Sequence, residues 1–401
     1  MNNFGEVKAF ELKGLKASLR GVFLIMGVVS MAWVPRIPEI KQSLNLSDGQ
    51  LGLVLVSGTI GAVFGAQSAG HLVQSLGSKK LIQIMQFLMP AGLIVMGFSK
   101  SVPMLVAGLF LMGLGYAGID ISVNAQAVVA ESLLKERFLA SLHGFWSIGA
   151  FIAALIGGFL AAHSTPKLNL VSVAIFGFVS FAWFTRNLLG KEHDNTGKED
   201  GSKSDHLPWI SKAVLPLWAM AVGATGSFIS EGAASDWGGV LLVEDIGTSP
   251  SVSASVFATF AVAMIISRFS ADKVLHRFGL ERTVRTAGIA GGIIWAIGIL
   301  VGSQIAPTNK WLAVVIINIG FFAAGLAVGP MFPAFILGAS QIKGVAPSLA
   351  IARIGVISIA AYFVGPTITG LISELTSLPT ALLYPAFMLV LSGIMSRALR
   401  S

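Results

Sequence analysis

Asp120 and Asn124 stand four residues apart in an otherwise apolar stretch, Ile119-Asp120-Ile121-Ser122-Val123-Asn124-Ala125. On a helix that spacing puts a carboxylate and an amide on one face, about one turn apart. A carboxyl group in a cavity of low dielectric holds its proton more tightly than in water, so Asp120 is a candidate to load and release a proton near neutral pH. The competing reading is an Asp tied to a neighbouring helix by a hydrogen bond. His143 and Trp146, three apart, offer an imidazole and an indole on one face. Sugars and other ring-bearing solutes stack on aromatic faces while polar groups fix their hydroxyls, so this pair suits a cavity wall. A satisfied core His beside an interfacial Trp would look the same.

Arg36 lies in Trp33-Val34-Pro35-Arg36-Ile37-Pro38, beside the indole of Trp33. Its guanidinium suits bidentate binding of a carboxylate, whether on a substrate or at Asp120 or Glu231. An arginine near the end of a span can equally snorkel to the headgroups. Ser230-Glu231-Gly232-Ala233-Ala234-Ser235-Asp236-Trp237 supplies Glu231 as a second proton-site candidate and Asp236 as an outer gate. Asn318 and Arg353 are lone polar groups on apolar runs, and each is a candidate to line a cavity.

These residues are unusual because of what surrounds them. The chain has 401 residues, 54% hydrophobic and only 11% charged, against about 25% charged in an ordinary soluble domain. That excludes a water-soluble enzyme, since so few charges cannot clothe its surface. Apolar runs long enough to cross roughly 30 Å of hydrocarbon recur from end to end. There are twelve, near 18–38, 50–72, 81–99, 104–130, 139–162, 168–186, 213–236, 251–269, 285–305, 311–336, 346–372 and 379–397. They do not alternate as barrel strands would, so helices must satisfy their backbone groups. A charge at the centre of such a helix costs roughly 2.5–3.5 kcal/mol on insertion scales, so each should face the bundle interior or a wet cavity.

Topology follows from the basic residues. With both termini inside, 21 Lys and Arg fall on the inner side and five on the outer: Arg36, Lys41, Lys100, Lys167 and Lys310. That asymmetry predicts cytoplasmic termini. The polar stretch 187–212 is too rich in Gly, Ser, Lys and Asp to bury much surface, and it predicts a linker between a six-helix bundle at 1–186 and another at 213–401. Small residues repeat every four positions at Gly58, Ala62, Ala66 and Gly70, with Gly149, Ala153 and Gly157 in the fifth run, which predicts close helix contacts. Gly329-Pro330-Met331-Phe332-Pro333 predicts a bend in the tenth span. Gly113-Leu-Gly115-Tyr-Ala-Gly118 fits a dinucleotide fingerprint in letters only, since inside an apolar span there is no strand before it and no exposed helix start after it.

The loop after the second span, Gly70-His71-Leu72-Val73-Gln74-Ser75-Leu76-Gly77-Ser78-Lys79-Lys80, resembles the signature loop of the major facilitator superfamily. Gln74 stands where that signature has an acid. A related copy follows the eighth span, Arg268-Phe-Ser-Ala-Asp272-Lys273 before Arg277-Phe-Gly279, and keeps its carboxylate. The resemblance spans nearly the whole chain and implies an all-α integral membrane protein with twelve transmembrane helices in two bundles. It also implies gating roles for Gly70, Gly77, Lys79, Lys80, Arg268 and Asp272. The Asp120/Asn124 pair further resembles the fucose/proton symporter branch, whose fourth helix carries an acid followed four residues later by Asn. That implies proton coupling at Asp120. The first helix departs from that branch, having Arg36 where an acid is expected.

The expectation is a secondary transporter in a bacterial inner membrane and not an enzyme, since no nucleophile–base pair or metal cluster is legible at membrane depth. Its partners would be a small polar solute, a sugar or related metabolite, together with protons and the lipid bilayer. No cofactor, metal or nucleic acid is implied, and a monomer is expected. The rivals are a proton-driven exporter of drugs or metabolites and a non-transporting membrane sensor.

Overall fold

The computed structural model describes residues 14–136, 138–193, 215–339, 341–342 and 347–400. Most of the linker expected at 187–212 therefore lies outside the described residues. Twelve helical passages run along the chain. The first half holds α1 (Leu15–Met31, resuming as Ile37–Ser43), α2 (Asp48–Leu76), α3 (Ser78–Gly97), α4 (Val102–Leu134), α5 (Leu139–Ala161) and α6 (Pro166–Phe184). The second holds α7 (Leu215–Val240), α8 (Pro250–Phe278), α9 (Leu280–Ile305), α10 (Lys310–Val328, resuming as Met331–Ala339), α11 (Pro347–Leu375) and α12 (Leu383–Met395). Ten of these passages are long and apolar enough to cross a membrane, with mean hydropathy from 1.4 to 2.3. α7 and α11, 26 and 29 residues long, complete the twelve.

Local chemistry explains the boundaries. Pro166 and Pro250 open α6 and α8 at the first turn, where a missing N–H costs nothing. Thr165 and Asn309 cap α6 and α10 by accepting from the N–H groups of Leu168 and Leu312. α10 breaks where expected: it stops at Val328 and resumes at Met331 across Gly329-Pro330. α1 breaks too, through a tight turn at Val34–Arg36 around Pro35. Gly77 and Gly279 precede α3 and α9 with φ of 87° and 79°, a left-handed region that disfavours side chains. The two loops that resemble one another in sequence thus turn the same way.

Helices contact through their small residues. A methyl group placed on Gly61 or Gly65 of α2 would strike the backbone carbonyls of Phe110 or Leu114 of α4, and one on Gly113 would strike that of Gly58. Gly115 and Gly118 lie equally close to Met89 and Met85 of α3. All three glycines of the nucleotide-like pattern are therefore helix-packing positions. Between α1 and α5, Gly27 and Gly149 face the carbonyls of Trp146 and Leu24.

By contacts the chain divides into two units. One comprises 1–33, 57–153 and 164–202; the other comprises 34–56, 154–163 and 203–401. The second unit takes in the resumed end of α1, the start of α2 and the end of α5 along with α7 to α12.

Candidate transport site

In the first unit the amide of Asn124 donates to the Asp120 carboxylate at 3.1 Å and to its backbone carbonyl at 2.8 Å. The one-face reading of the i, i+4 pair holds, and both side chains are partly exposed. Between the two along α4, on the other side of the helix, Ser122 is fully buried and donates its hydroxyl proton to the Gly118 carbonyl. His143 is exposed and meets the buried Phe23 ring edge-on, with centroids 5.1 Å apart. Trp146 is half-buried one turn on, and among the described residues its indole N–H has no hydrogen-bond partner. Trp33 is buried at the end of this unit, 5% exposed.

The two lysines at the start of α3 behave differently from each other. Lys79 donates to the carbonyls of Arg186 and Leu188 at 2.8 and 3.0 Å, which closes the end of α6. Its neighbour Lys80 is exposed. Gln126, which the sequence reading passed over, donates to Ser78 Oγ and the Leu189 carbonyl and accepts from the Leu189 N–H. The chain leaving α6 is thereby tied to α3 and α4. Gly70, Asp272 and Arg353 lie outside the described residues at the level of side chains.

The second unit gathers the other candidates. Arg268 of α8 donates to the Glu231 carboxylate of α7 at 3.3 Å, so a residue assigned to the inner loop by resemblance partners a candidate proton site. Asp236 accepts from Ser235 at 3.0 Å. Tyr362 of α11 bonds Ser235 and lies within electrostatic reach of both Glu231 and Asp236. Phe228 meets the rings of Phe332 and Tyr362 edge-on at 5.0 and 6.3 Å. An acid–guanidinium pair beside a phenol and two phenyl rings can bind a polar solute and cover its apolar faces. Tyr362, Phe228 and Phe332 escaped the sequence reading because aromatic residues on apolar helices carry no spacing signal; the chain has only three Tyr, the one hint available.

Arg36 is fully buried and pairs with Glu39 at 2.9 Å, one turn away. Glu231 and Arg36, each considered as a partner for the other from sequence, are therefore both engaged elsewhere. Asn318 of α10 accepts from Thr259 at 2.8 Å and donates to Ser255 and the Val314 carbonyl. Its amide fastens α10 to α8, and its two protons are taken up by those contacts.

At the far end of the second unit Lys41, 6% exposed, pairs with Asp48 at 2.8 Å and with Glu244. Ser373 donates to Asp48, Thr367 to the Gly52 carbonyl at 2.9 Å, and the Gly49 N–H to Glu374 at 3.0 Å. Trp237 is fully buried and donates to the Pro366 carbonyl at 3.1 Å. Asp245, in a π-type turn beyond α7, has its carboxyl pushed up to about 6 by partial burial and by the Asp48 and Glu244 charges, against which Lys41 pulls. These contacts join the start of α2 to α7 and α11.

Twelve apolar helices, a turn repeated after the second and eighth, and charged groups held within the bundle define a membrane carrier. The model of the Major Facilitator Superfamily matches residues 19–346, and the chain belongs to that family, whose members are transporters and not enzymes. It is an integral membrane protein that sits in a lipid bilayer and binds a small-molecule substrate. It is 26% identical over 390 residues to an uncharacterised MFS-type transporter of Yersinia pestis, covering 96% of this chain and 95% of that one. A shorter match, 29% over 178 residues, covers 43% of this chain and 42% of the enterobactin exporter EntS of Salmonella typhi. Among solved structures it superposes on the nucleoside transporter NupG with a TM-score of 0.69 at 15% identity, covering 96% of this chain and 99% of that one. At that identity the likeness is one of fold.

Proposed function

We propose that the protein is a proton-coupled carrier of a small polar, hydroxyl-bearing solute, a sugar or sugar-containing metabolite, working by alternating access in a bacterial inner membrane. The bundles at 1–186 and 213–401 are its two moving bodies and both termini lie in the cytoplasm. The observation that carries this reading is Asp120. It is an acid within an apolar span, partly exposed, and its hydrogen-bonded partner among the described residues is a neutral amide one turn away on the same helix. A carboxylate so placed can take up and release a proton without breaking an ion pair. Asn124, His143 and Trp146 supply the polar and ring surfaces of the first bundle, and Glu231 with Arg268 and Tyr362 those of the second. The likeness of Ile119–Ala125 to the fucose/proton symporter branch supports a sugar, and the fold shared with a nucleoside transporter is compatible with one.

Asp120→Asn tests the proposal. The variant should lose proton-driven accumulation while keeping substrate counterflow, since exchange needs no net proton transfer. Normal accumulation by the variant would refute the role. Export is the second reading, favoured by the partial match to an enterobactin exporter. Uptake against efflux in oriented vesicles separates the two.

A further inference from the structure

A shallow groove on the surface at the start of α9 takes no part in the transport reading. Arg282, Arg285, Thr286, Ile289 and Ala290 line it, around a volume of about 380 Å³. The chain's closing turn, Ser396–Arg400, brings further charge to the same place. Arg400 donates to Glu281 at 2.6 Å, and Arg285 and Arg397 lie within electrostatic reach of the same carboxylate. Arg282, Arg285, Arg397 and Arg400 are all exposed. Three guanidiniums thus act on one acid, and with the exposed Arg282 beside them a clear positive excess remains.

That charge gives way to hydrocarbon within about one turn. On α9 the side bearing Arg282 continues through Thr286 and Ile289 to Ile293 and Ile297, which are 46% and 53% exposed. On α12 Ile394, 42% exposed, precedes Arg397 by three residues. Two neighbouring elements therefore change from exposed aliphatic to exposed guanidinium at the same level. A soluble anion or an acidic peptide would use the arginines and leave the aliphatic stripes idle. An amphiphile uses both: guanidinium forks suit phosphate oxygens, and an acyl chain suits the stripe.

We infer that this groove is a binding site for an anionic phospholipid, its phosphate held by Arg282 and Arg285 and one acyl chain lying along Ile289, Ile293 and Ile297. The ordinary alternative is that these arginines only satisfy the positive-inside preference and face the headgroup region without selecting a lipid.

The test is lipid retention and thermal stabilisation of the purified full-length protein in detergent. Phosphatidylglycerol is compared with phosphatidylcholine and with glycerol 1-phosphate, the headgroup without chains. Phosphatidylglycerol alone should stabilise the protein. The double variant Arg282→Gln/Arg285→Gln should weaken its apparent affinity about 30-fold, from about 1 kcal/mol per basic residue near the membrane surface. Lys273→Gln/Arg277→Gln removes the same charge from exposed residues elsewhere on the unit and should leave the affinity within about threefold. Ile293→Glu, which keeps every arginine but spoils the acyl path, should also lose phosphatidylglycerol. The inference is overturned if both double variants lose the lipid equally, if phosphatidylcholine stabilises as well, if glycerol phosphate reproduces the effect, or if Ile293→Glu binds normally.

Discussion

Replacing Lys41 by Met should loosen the far end of the second unit, because its ammonium is the cation that holds Asp48 and Glu244. Removing it leaves those carboxylates close to each other and to Asp245, while the methionine keeps most of the buried stem. Breaking a fully buried pair costs about 3–5 kcal/mol and an exposed one about 0–1. Here Lys41 is 8% exposed at its side chain, but Asp48 and Glu244 are 17% and 29% exposed, so water screens part of the loss. A value near 2 kcal/mol lies between those limits and corresponds to about a 30-fold rise in the ratio of open to closed. The chain has no cysteine, which gives a labelling assay without background. Thr367→Cys places a thiol where Gly52 now covers it, and a water-soluble maleimide in detergent reads its access directly. The rate for Thr367→Cys should rise about 30-fold when Lys41→Met is added. A change of less than about threefold would refute the idea that this lysine holds the end shut.

The pH should act on the same network. Because the Asp245 carboxyl is raised to about 6 when the end is packed, its contribution is fully present at low pH and fades as pH rises through that value. Only the thiolate reacts with maleimide, so each rate is divided by that of a fully unfolded sample of the same variant at the same pH; on that scale Thr367→Cys should label more slowly at pH 5.5 than at pH 7.5, and Asp245→Asn should abolish this residual difference, which is smaller than a fully buried carboxyl would give because much of Asp245 is exposed. Gly113→Val should destabilise the first unit by at least about 1–3 kcal/mol, because the added atoms meet the Gly58 backbone and not a yielding side chain; thermal melting and expression level report it. A double-mutant cycle with Glu231→Gln and Arg268→Gln should give a coupling of about 1–2 kcal/mol in stability, between the exposed and buried limits. Additive losses would show that the 3.3 Å contact carries no weight.

Several elements were legible from local pattern. Hydropathy located all twelve passages, although their ends differ; α4, expected at 104–130, runs Val102–Leu134. The Gly-Pro pair foretold the break in α10, and the i, i+4 spacing foretold the shared face on which Asp120 and Asn124 meet. Small-residue spacing foretold the contact of α2 with α4 without naming the partner helix. Lys41 carried no such signal. It was counted only as an outer-side charge, yet its partner Glu244 lies 203 residues away. Arg36, a candidate to bind a carboxylate, has Glu39, three residues on, as an ion-pair partner.

Sequence alone determined what must be true of any chain in lipid: apolar runs of spanning length, basic residues concentrated in alternate loops, and a few costly polar groups. Those follow from transfer free energies and helical periodicity, which depend on residue type and near neighbours. Which charges meet was decided only by the tertiary structure. Glu231 with Arg268, Lys41 with Asp48 and Glu244, and Asn318 with Thr259 depend on which helix faces which. Small-residue contacts permit many such arrangements, and only the packing of the whole bundle selects one.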